Sequence, residues 1–408
     1  MIYKTKIHTV IFLIGENSKN KNTFLKDVLV KQISSKTNNK TKIVYINENN
    51  DEKLESYIKY PINIEHVVID VKDNTISNIN EKIKFCLKYN YNIDLIIFDN
   101  DKRLLNIKEE NISTILKLNK HDMLNKNIKV DITDKIEYEN RFLDENYDWI
   151  PIGDVHGCYE ELKLLIKSFG IEINEKDKIE WGDTNLAILS LGDLVDKSSL
   201  EDIKKTIDFV YKNMGERFKM IIGNHEETVY KWISGTHEKK NDKKALKKKE
   251  LFYNTTLLLE NDEESKKKFL KIFEFSKGWL KLKNNDINNN SFVFTHAPCE
   301  VKYLEKMDSL SFKKQVKSTS RSANKGLTND QLTPYLIPES NIKDPIHIFG
   351  HMGQSEARKY KNKICIDSGC VYGGKLIGIK LSSMEFKEVK NSSNKEFKNS
   401  FSSPLFDV

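Results

Sequence analysis

Short apolar runs alternate with polar, helix-like segments along the first 140 residues. The polar segment Ile79–Lys88 places Ile79, Ile83 and Cys86 on one face of a predicted helix. The apolar, β-branched runs predict strands at Thr9–Ile14, Lys42–Ile46, His66–Val71 and Ile93–Phe98. Because short buried strands that alternate with helices are typical of parallel α/β sheets, we expect residues 1–140 to form one such domain.

A second α/β region is predicted at residues 148–390. It contains two helices with apolar residues on one face, Tyr159–Phe169 and Leu200–Met214, each followed by a glycine suited to ending a helix. The segment Thr228–Lys283 is rich in Lys and Glu with helical periodicity, which predicts a helical insertion.

Two polar segments are expected to lie outside these domains. Val130–Asn146 is highly charged and is predicted to be a connector. The final segment, residues 391–408, is rich in Ser, Asn and Lys, a composition typical of a flexible tail.

Composition limits the classes of protein that fit. The chain has 408 residues, 38% of them hydrophobic, and a net charge of +7, so it is long enough for two or three packed domains. Lysines crowd the stretch Lys239–Lys249, which fits either a polyanionic partner or a solvated helix face.

The cysteines and the N-terminus indicate a cytoplasmic protein without a membrane partner. Five cysteines without a Cys-x-x-Cys pair argue against a disulfide framework and for a reducing compartment. The apolar segment Val10–Ile14 is too short for a signal sequence or a membrane span.

Polar clusters follow five of the apolar runs in the second region, several of them beside a glycine. Loops at the carboxyl ends of strands in an open α/β sheet converge on one crevice, so these clusters are expected to meet in space. Four of the nine histidines fall inside them. The clusters contain Asp154 with His156, Asp193 with Asp196, Asn224 with His225, His296, and His351.

This donor set predicts two divalent cations. Asp154, His156 and Asp193 are suited to one ion, and Asp193, Asn224, His296 and His351 to the other, with Asp193 as the bridge. Mixed imidazole and oxygen ligands suit Mn, Fe, Zn or Ni better than Mg or Ca, and of these metals we expect Mn. Such a pair can clamp a phosphate and generate a hydroxide for in-line attack. His225 is then placed to protonate the leaving oxygen, with Asp196 fixing its tautomer.

Each motif alone is more often a turn or an ordinary loop residue, but the joint and ordered occurrence of five favours the metal interpretation. At these residues the chain resembles the calcineurin-like metallophosphoesterases, in particular the phosphoprotein-phosphatase-type branch with Gly-Asp-x-His-Gly and Gly-Asn-His-Glu. The resemblance implies an α/β/β/α sandwich, the six metal ligands named above, and His225 with Asp196 as the acid pair.

The chain departs from the family pattern at one position. Where the family has a phosphate-gripping arginine after the second motif, this sequence has Lys197, which keeps the charge but loses the bidentate fork. Arg321 is a candidate second clamp, although a surface loop arginine explains it equally well.

A further resemblance concerns the substrate. Together with Gly-Asp-Val-His-Gly-Cys, the stretch Cys365–Leu376 is similar to the phosphatase module of bacterial polynucleotide kinase–phosphatases and to dinucleoside-polyphosphate hydrolases. With the basic stretches, it implies a phosphatase for RNA or DNA ends, including cyclic phosphates. The alternatives are a protein phosphatase, a dinucleoside-polyphosphate hydrolase, and a non-catalytic nucleotide or nucleic-acid sensor. The oligomeric state is left open.

The N-terminal domain resembles a P-loop kinase whose chemistry has decayed. Gly15 and Lys21 match the phosphate-binding pattern, whereas Asn20 stands where a glycine is required and Asn22 where a hydroxyl is required. Thr23 carries a hydroxyl one position late. The alternative is an unrelated α/β module that begins with a glycine-containing turn.

Overall fold

The computed structural model describes most of the chain. The described residues are 1–15, 19–36, 41–46, 51–59, 66–71, 76–98, 112–119, 122, 128–237, 242–283, 291–317 and 345–392. They fall into two compact units. The first unit comprises Met1–Asn140 with Val301–Lys306, and the second comprises Arg141–Glu300 with Met307–Val408.

The first unit is built on a parallel sheet. Its strands lie in the order β3-β4-β2-β5-β6, and each neighbouring pair is parallel. The bounds are β2 Thr9–Ile14, β3 Thr41–Ile46, β4 His66–Val71, β5 Asn92–Phe98 and β6 Thr114–Leu118. The helical segments are Lys19–Thr23, Phe24–Val30 (a π-helix), Lys31–Lys36, Asp51–Lys59, Ile76–Lys88 and Lys135–Glu139.

The apolar pattern of this unit is explained by burial on both faces of the sheet. Every residue of β2 and β4 is buried, as expected for central strands covered by helices. The helix Ile76–Lys88 turns Ile79, Ile83 and Cys86 toward the same core, as its periodicity predicted. The predicted parallel α/β class is thereby confirmed for this unit.

The prediction of a connector at Val130–Asn146 is wrong for the first half of this segment. Lys129–Ile132 forms a strand, β7, that pairs in parallel with β1, Ile2–Thr5, and a short helix follows at Lys135–Glu139. Val130 and Ile132 are buried while their neighbours point outward, so a two-residue alternation was concealed within a charged run.

The second unit contains two sheets. In the first, β12-β11-β8-β19-β18 lie side by side with β20 against β19; in the second, the order is β13-β14-β15-β17-β16. The first sheet comprises β8 Asp148–Ile152, β11 Leu186–Ser190, β12 Phe218–Met220, β18 Asp367–Ser368, β19 Lys375–Lys380 and β20 Glu385–Lys390. The second comprises β13 Trp279–Leu282, β14 Phe292–Thr295, β15 Ile346–Phe349, β16 Arg358–Tyr360 and β17 Lys363–Cys365. A separate hairpin joins β9, Glu172–Ile173, to β10, Ile179–Glu180.

The two sheets enclose a common apolar layer. Trp149 and Leu189 from the first sheet pack in one cluster with Phe294 and Ile348 from the second. The alternate residue Ile150 belongs instead to a cluster shared with the helices that cover the outer face of the first sheet. The alternation of side chains along each strand therefore separates an inter-sheet core from a sheet–helix core.

Helices Tyr159–Ser168 and Leu200–Asn213 cover that outer face, and the predicted insertion is largely helical. The side-chain oxygens of Ser199 and Asp262 accept backbone N–H groups at the starts of two helices, which satisfies donors that the helices leave open. The remaining helical segments of this unit are Asn224–Ile233, Lys243–Phe252, Thr255–Asn261, Glu263–Phe275, Ser309–Val316 and the 3₁₀ turn Cys370–Tyr372, while the 3₁₀ turn Val301–Tyr303 lies with the first unit.

Within the described ranges, the helices are all too short or too polar to cross a lipid bilayer.

Candidate active site

The five polar clusters all follow strands of the second unit. β8, β11 and β12 are mutually parallel in one sheet, and β14 and β15 are parallel in the other. Backbone bonds tie the loops after them together: the His156 N–H donates to the Asp193 carbonyl at 2.7 Å, and the Gly350 N–H donates to the His296 carbonyl at 2.9 Å. The structure therefore brings the loops into one site, as the strand-end argument predicted.

Asp193 lies between two groups of candidate ligands. Its Oδ2 is 3.4 Å from His156 Nε2, and its Oδ1 is 3.4 Å from His296 Nε2. His296 Nε2 in turn lies 3.1 Å from Asn224 Oδ1 and 3.2 Å from His351 Nδ1. Asp154 joins the set through the His351 N–H, which donates to its carboxylate at 3.1 Å. All six sequence-predicted ligands thus converge, with Asp193 central.

The orientation of the histidines fits a cation site. His156 Nδ1 lies 2.8 Å from the Val195 carbonyl, and His296 Nδ1 lies 2.9 Å from the Leu191 carbonyl, so each Nδ1 carries a proton. Burial and the charge of Lys197 hold the pKa of His156 well below its usual value, so its ring is neutral and its lone pair is on Nε2, 3.4 Å from Asp193 Oδ2. Acceptor atoms that face one another repel, and a cation between them would stabilise the arrangement. Metal-bound histidines usually donate their other ring N–H to a carbonyl or carboxylate, as the Nδ1–H groups do here.

The charges of the site lead to the same conclusion. Burial, together with the charges of Asp367 and Asp193, raises the pKa of Asp154 well above its usual range. Burial also opposes ionisation of Asp193, but His296 and His225 hold its pKa well below the usual range. Carboxylates this close in a buried site need compensating positive charge, which two divalent ions would supply. The residues present therefore fit a pair of divalent ions.

The loops of the site are closely packed, and several of their residues adopt uncommon backbone conformations. A Cβ on Gly350 would lie 2.0 Å from Asp154 Oδ1, so no side chain fits there. Several side-chain-bearing residues also adopt left-handed backbone conformations, which cluster at functional sites. These residues are His156, Asp193, Asp196, Lys197 and His351, with φ between 47° and 71°.

His225 and Asp196 form a buried pair. His225 Nδ1 lies 2.7 Å from Asp196 Oδ2, whereas its Nε2 is 3.9 Å from Asp193 Oδ2 and directed toward the ligand cluster. Burial lowers the pKa of His225 to about 3 and raises that of Asp196 to about 7. Because both shifts come first from loss of water, a group that restores polarity around the ring, such as a phosphate, would favour the protonated histidine.

Two residues of the insertion support this pair. The Thr255 N–H donates to Asp196 Oδ1 at 2.9 Å, and the Asp196 N–H donates to Thr255 Oγ1 at 2.9 Å. The ring of Tyr253 lies against that of His225, with centroids 4.9 Å apart. Sequence reasoning did not single out either residue, because nothing in the local pattern shows that the insertion returns to the site.

Lys197 points into the ligand cluster. Its ammonium lies 2.8 Å from His156 Nε2 and 5.1 Å from the centroid of the Tyr372 ring. Burial opposes its charge, but Tyr372 and Asp193 raise the pKa of Lys197 above its usual value. A charged amine is therefore available at the position predicted for the phosphate clamp.

Glu226 organises the loop that carries Asp193, a role that sequence reasoning missed. Its Oε2 accepts the N–H groups of Gly223 and Asp193, both at 2.8 Å, and its Oε1 accepts that of Leu194 at 2.8 Å. The residue follows His225 directly, so its position in the motif was visible, but its partners Asp193 and Leu194 lie more than thirty residues away in sequence.

The remaining predicted site residues are Arg321 and the P-loop-like residues of the first unit. Arg321 lies outside the described residues. In the first unit, Gly15 has a φ of 143°, and the buried Lys21 ammonium lies 2.7 Å from Asp70 Oδ1 and 3.0 Å from the Gly15 carbonyl. Thr23 is the last residue of the helix Lys19–Thr23. Nucleotide binding by these residues stays a prediction.

Comparison with known families gives one match over most of the second unit. The sequence model of the calcineurin-like phosphoesterases matches residues 151–385. That range includes the five strand-end clusters and the helical insertion.

Individual relatives match the same region. The asymmetrical bis(5'-nucleosyl)-tetraphosphatase PrpE of Oceanobacillus iheyensis is 29% identical over 243 residues, which covers 58% of this chain and 90% of that protein. The Bacillus subtilis PrpE is 25% identical over 263 residues, which covers 59% of this chain and 93% of that protein. Shewanella-like protein phosphatase 1 of Plasmodium berghei is 32% identical over 121 residues, covering 27% and 31%. A crystal structure described as that of a diadenosine tetraphosphatase aligns with a TM-score of 0.41 at 16% identity, covering 62% and 99%.

Proposed function

The chain belongs to the calcineurin-like phosphoesterase family and is a hydrolase of phosphoesters, and from this premise we propose that its second unit cleaves nucleotide phosphates with two divalent ions. The observation that carries the proposal is the position of Asp193, whose two carboxylate oxygens face different histidines at 3.4 Å. One carboxylate shared in this way is suited to bridging two metals.

The ions would be held by the six converging residues. The family is divalent-metal dependent. Four of the proposed ligands, His156, Asp193, His296 and His351, belong to groups of side chains whose donor atoms lie within 4.8 Å of one another. The other two, Asn224 and Asp154, contact His296 and His351. The mixed imidazole, amide and carboxylate donors suit Mn, Fe, Zn or Ni, and Mn²⁺ is the metal we propose. When bound, such a pair neutralises charge on the phosphoryl group and activates water.

The side chains around the ions have separate tasks. His225 would donate a proton from Nε2 to the leaving oxygen, while Asp196 holds Nδ1–H and thereby fixes the tautomer and orientation of the ring. Lys197 would balance the charge of a phosphate oxygen. Thr255 keeps the Asp196 carboxylate in position from the insertion.

The proposed substrate is a dinucleoside polyphosphate. Support comes from the two PrpE relatives, which are described as bis(5'-nucleosyl)-tetraphosphatases. The match with this chain covers 90% and 93% of their lengths. The proton from His225 would then reach the bridging oxygen of a phosphoanhydride or the ester oxygen of a nucleotide.

A phosphorylated RNA or DNA end is the second candidate substrate. The helix Lys243–Phe252 carries exposed Lys243, Lys244 and Lys247, and the Lys248 ammonium is 5.9 Å from the ring of Tyr253, which itself contacts His225. A basic surface that leads to the proposed acid suits an extended polyanion.

The test is a substrate panel in Mn²⁺ buffer: diadenosine tetraphosphate, 3'-phosphorylated RNA, a 2',3'-cyclic phosphate and a phosphopeptide. We expect the highest kcat/KM for diadenosine tetraphosphate. Activity confined to the phosphopeptide would contradict both nucleotide proposals, and no turnover of any substrate would favour a binding-only sensor.

The proposed location is the cytoplasm. Each of the five cysteines is a free, buried thiol, which suits a reducing compartment.

A further inference from the structure

A second cluster of metal-ligating side chains lies in the phosphoesterase unit, outside the residues given roles above. Cys158, Glu161 and Cys370 are each at most 5% exposed, and their sulfur and carboxylate atoms all lie within 4.8 Å of one another.

The fold brings these three residues together from two separate segments. Cys158 immediately precedes the helix Tyr159–Ser168, and Glu161 lies in its first turn, so the two are three residues apart on one face. Cys370 begins a 3₁₀ turn after Gly369, which adopts a left-handed conformation with φ of 62°. The start of one helix and the start of the 3₁₀ turn therefore position the three side chains together.

The charge around the cluster indicates a cation. Glu161 Oε1 accepts the N–H of Ser392 at 3.0 Å and its hydroxyl at 2.9 Å. Within the described ranges no lysine or arginine pairs with this buried carboxylate, which faces two sulfurs. Three groups able to carry negative charge thus converge where a dication would stabilise all of them.

A fourth side chain lies against both sulfurs. The side-chain amide of Asn391 is 3.6 Å from Cys158 Sγ and 3.9 Å from Cys370 Sγ, and the Asn391 N–H donates to the Gly374 carbonyl at 2.9 Å. Rotation of this amide by half a turn exchanges its nitrogen for its oxygen without moving the backbone.

We propose that Cys158, Cys370 and Glu161 bind one Zn²⁺, with the Asn391 amide oxygen or a water as the fourth ligand. Zinc takes four ligands in a tetrahedron with Zn–S distances of about 2.3 Å, which suits sulfurs this close. Each thiol releases its proton to solvent as its sulfur binds the ion. Thiolates select zinc over manganese, so this site and the catalytic site hold different metals.

The ion would fasten three parts of the unit. Cys158 is two residues after His156, Cys370 is three residues after Asp367, and Asn391 follows β20. Zinc at this position would stabilise the loop of one catalytic ligand against the C-terminal strands. The inference does not depend on which phosphate is cleaved.

The test uses Co²⁺ as a spectroscopic probe of the full-length protein. The catalytic ligands are nitrogen and oxygen atoms only, so thiolate-to-cobalt charge-transfer absorption can come only from a cysteine site. We expect one equivalent of Co²⁺ to give this absorption, Zn²⁺ but not Mn²⁺ to remove it, and Cys158→Ser or Cys370→Ser to abolish it. Cys86→Ala, a buried cysteine of the first unit, is the matched control and should retain it. Glu161→Gln should weaken Co²⁺ binding.

A second measurement uses the wild-type chain, so it tests the proposal even if the cysteine variants do not fold. Zn²⁺ should slow alkylation of Cys158 and Cys370, mapped by mass spectrometry, without changing that of Cys299. The proposal is overturned by absent charge-transfer absorption, by absorption that survives Cys158→Ser, by equal alkylation with and without Zn²⁺, or by a Cys158–Cys370 disulfide in freshly isolated protein.

Discussion

The Glu226 carboxylate accepts the backbone N–H of Asp193 at 2.8 Å, and thereby holds the residue whose two oxygens face both halves of the proposed metal site. The same carboxylate also accepts the N–H groups of Gly223 and Leu194. Its contribution is positional, since it would affect the proposed metals only through the loop that carries Asp193.

Replacing Glu226 by Gln should therefore lower metal affinity without removing a ligand. One end of the amide would present N–H groups to backbone donors, leaving buried groups without acceptors. We expect roughly 10- to 100-fold weaker Mn²⁺ binding, the scale for residues that orient metal ligands. The measurement is calorimetric titration of metal-free protein with Mn²⁺, with Glu227→Gln, the neighbouring residue of the same helix, as the control. Equal affinity of the Glu226 variant and the wild type would refute this role.

Replacing His225 by Ala should lower kcat by roughly a hundredfold or more, as expected when a general acid is lost. Metal content should change little, because the proposed ligand set is complete without this ring. The loss should shrink for p-nitrophenyl phosphate, whose leaving group needs little protonation. If metal analysis found the variant without ions, His225 would have to be reassigned as a ligand.

Asp196→Asn tests the other member of the pair. The amide cannot hold the imidazolium as the carboxylate does, so kcat should fall in the same direction as for His225→Ala. The two changes should not be additive, because both act on one proton transfer. A double variant whose loss equals the product of the single losses would show that the residues act separately.

Lys197 is predicted to interact with the phosphate. Lys197→Ala removes a charge-assisted hydrogen bond worth about 1.5–3 kcal/mol, so kcat/KM should fall roughly 10- to 100-fold. Lys197→Arg should retain activity at or above the wild-type level, since the guanidinium can bond two phosphate oxygens. An arginine variant as inactive as the alanine variant would show that the lysine serves the fold instead.

The strand ends that carry the ligands could be predicted from sequence, because in each case the ligand residues follow the apolar run within a few positions. The roles of Glu226 and Thr255 could not, since their partners at positions 193–196 are distant in sequence and are reached only after folding. β7 escaped prediction for a different reason: two buried residues, Val130 and Ile132, alternate with charged or polar ones inside a charged run. Local pattern therefore locates ligands better than it locates the groups that orient them.

The first unit is predicted to have lost phosphoryl transfer. Its sheet is parallel, and Lys21, in the helix Lys19–Thr23, donates to the carbonyl of Gly15 just after β2. The Lys21 ammonium is, however, paired with Asp70 at 2.7 Å. A phosphate would have to compete with that buried ion pair, and Asn22 supplies no hydroxyl for Mg²⁺. The assay is transfer of labelled γ-phosphate from ATP to a 5'-hydroxyl oligonucleotide, run on an Asp193→Asn background so that product is not hydrolysed. Robust labelling that Lys21→Ala abolishes would show a working kinase.

The most direct test of the two-metal account is the rate of p-nitrophenyl phosphate hydrolysis, measured alongside bound metal in the same preparations. The account predicts two equivalents of Mn²⁺ in the wild type and loss of activity in EDTA that Mn²⁺ restores. It also predicts that the Asp193→Asn variant loses most of its bound Mn²⁺ and most of its activity, because Asp193 is the proposed ligand of both ions. Equal rates with and without EDTA, or an Asp193→Asn variant with full activity, would contradict it.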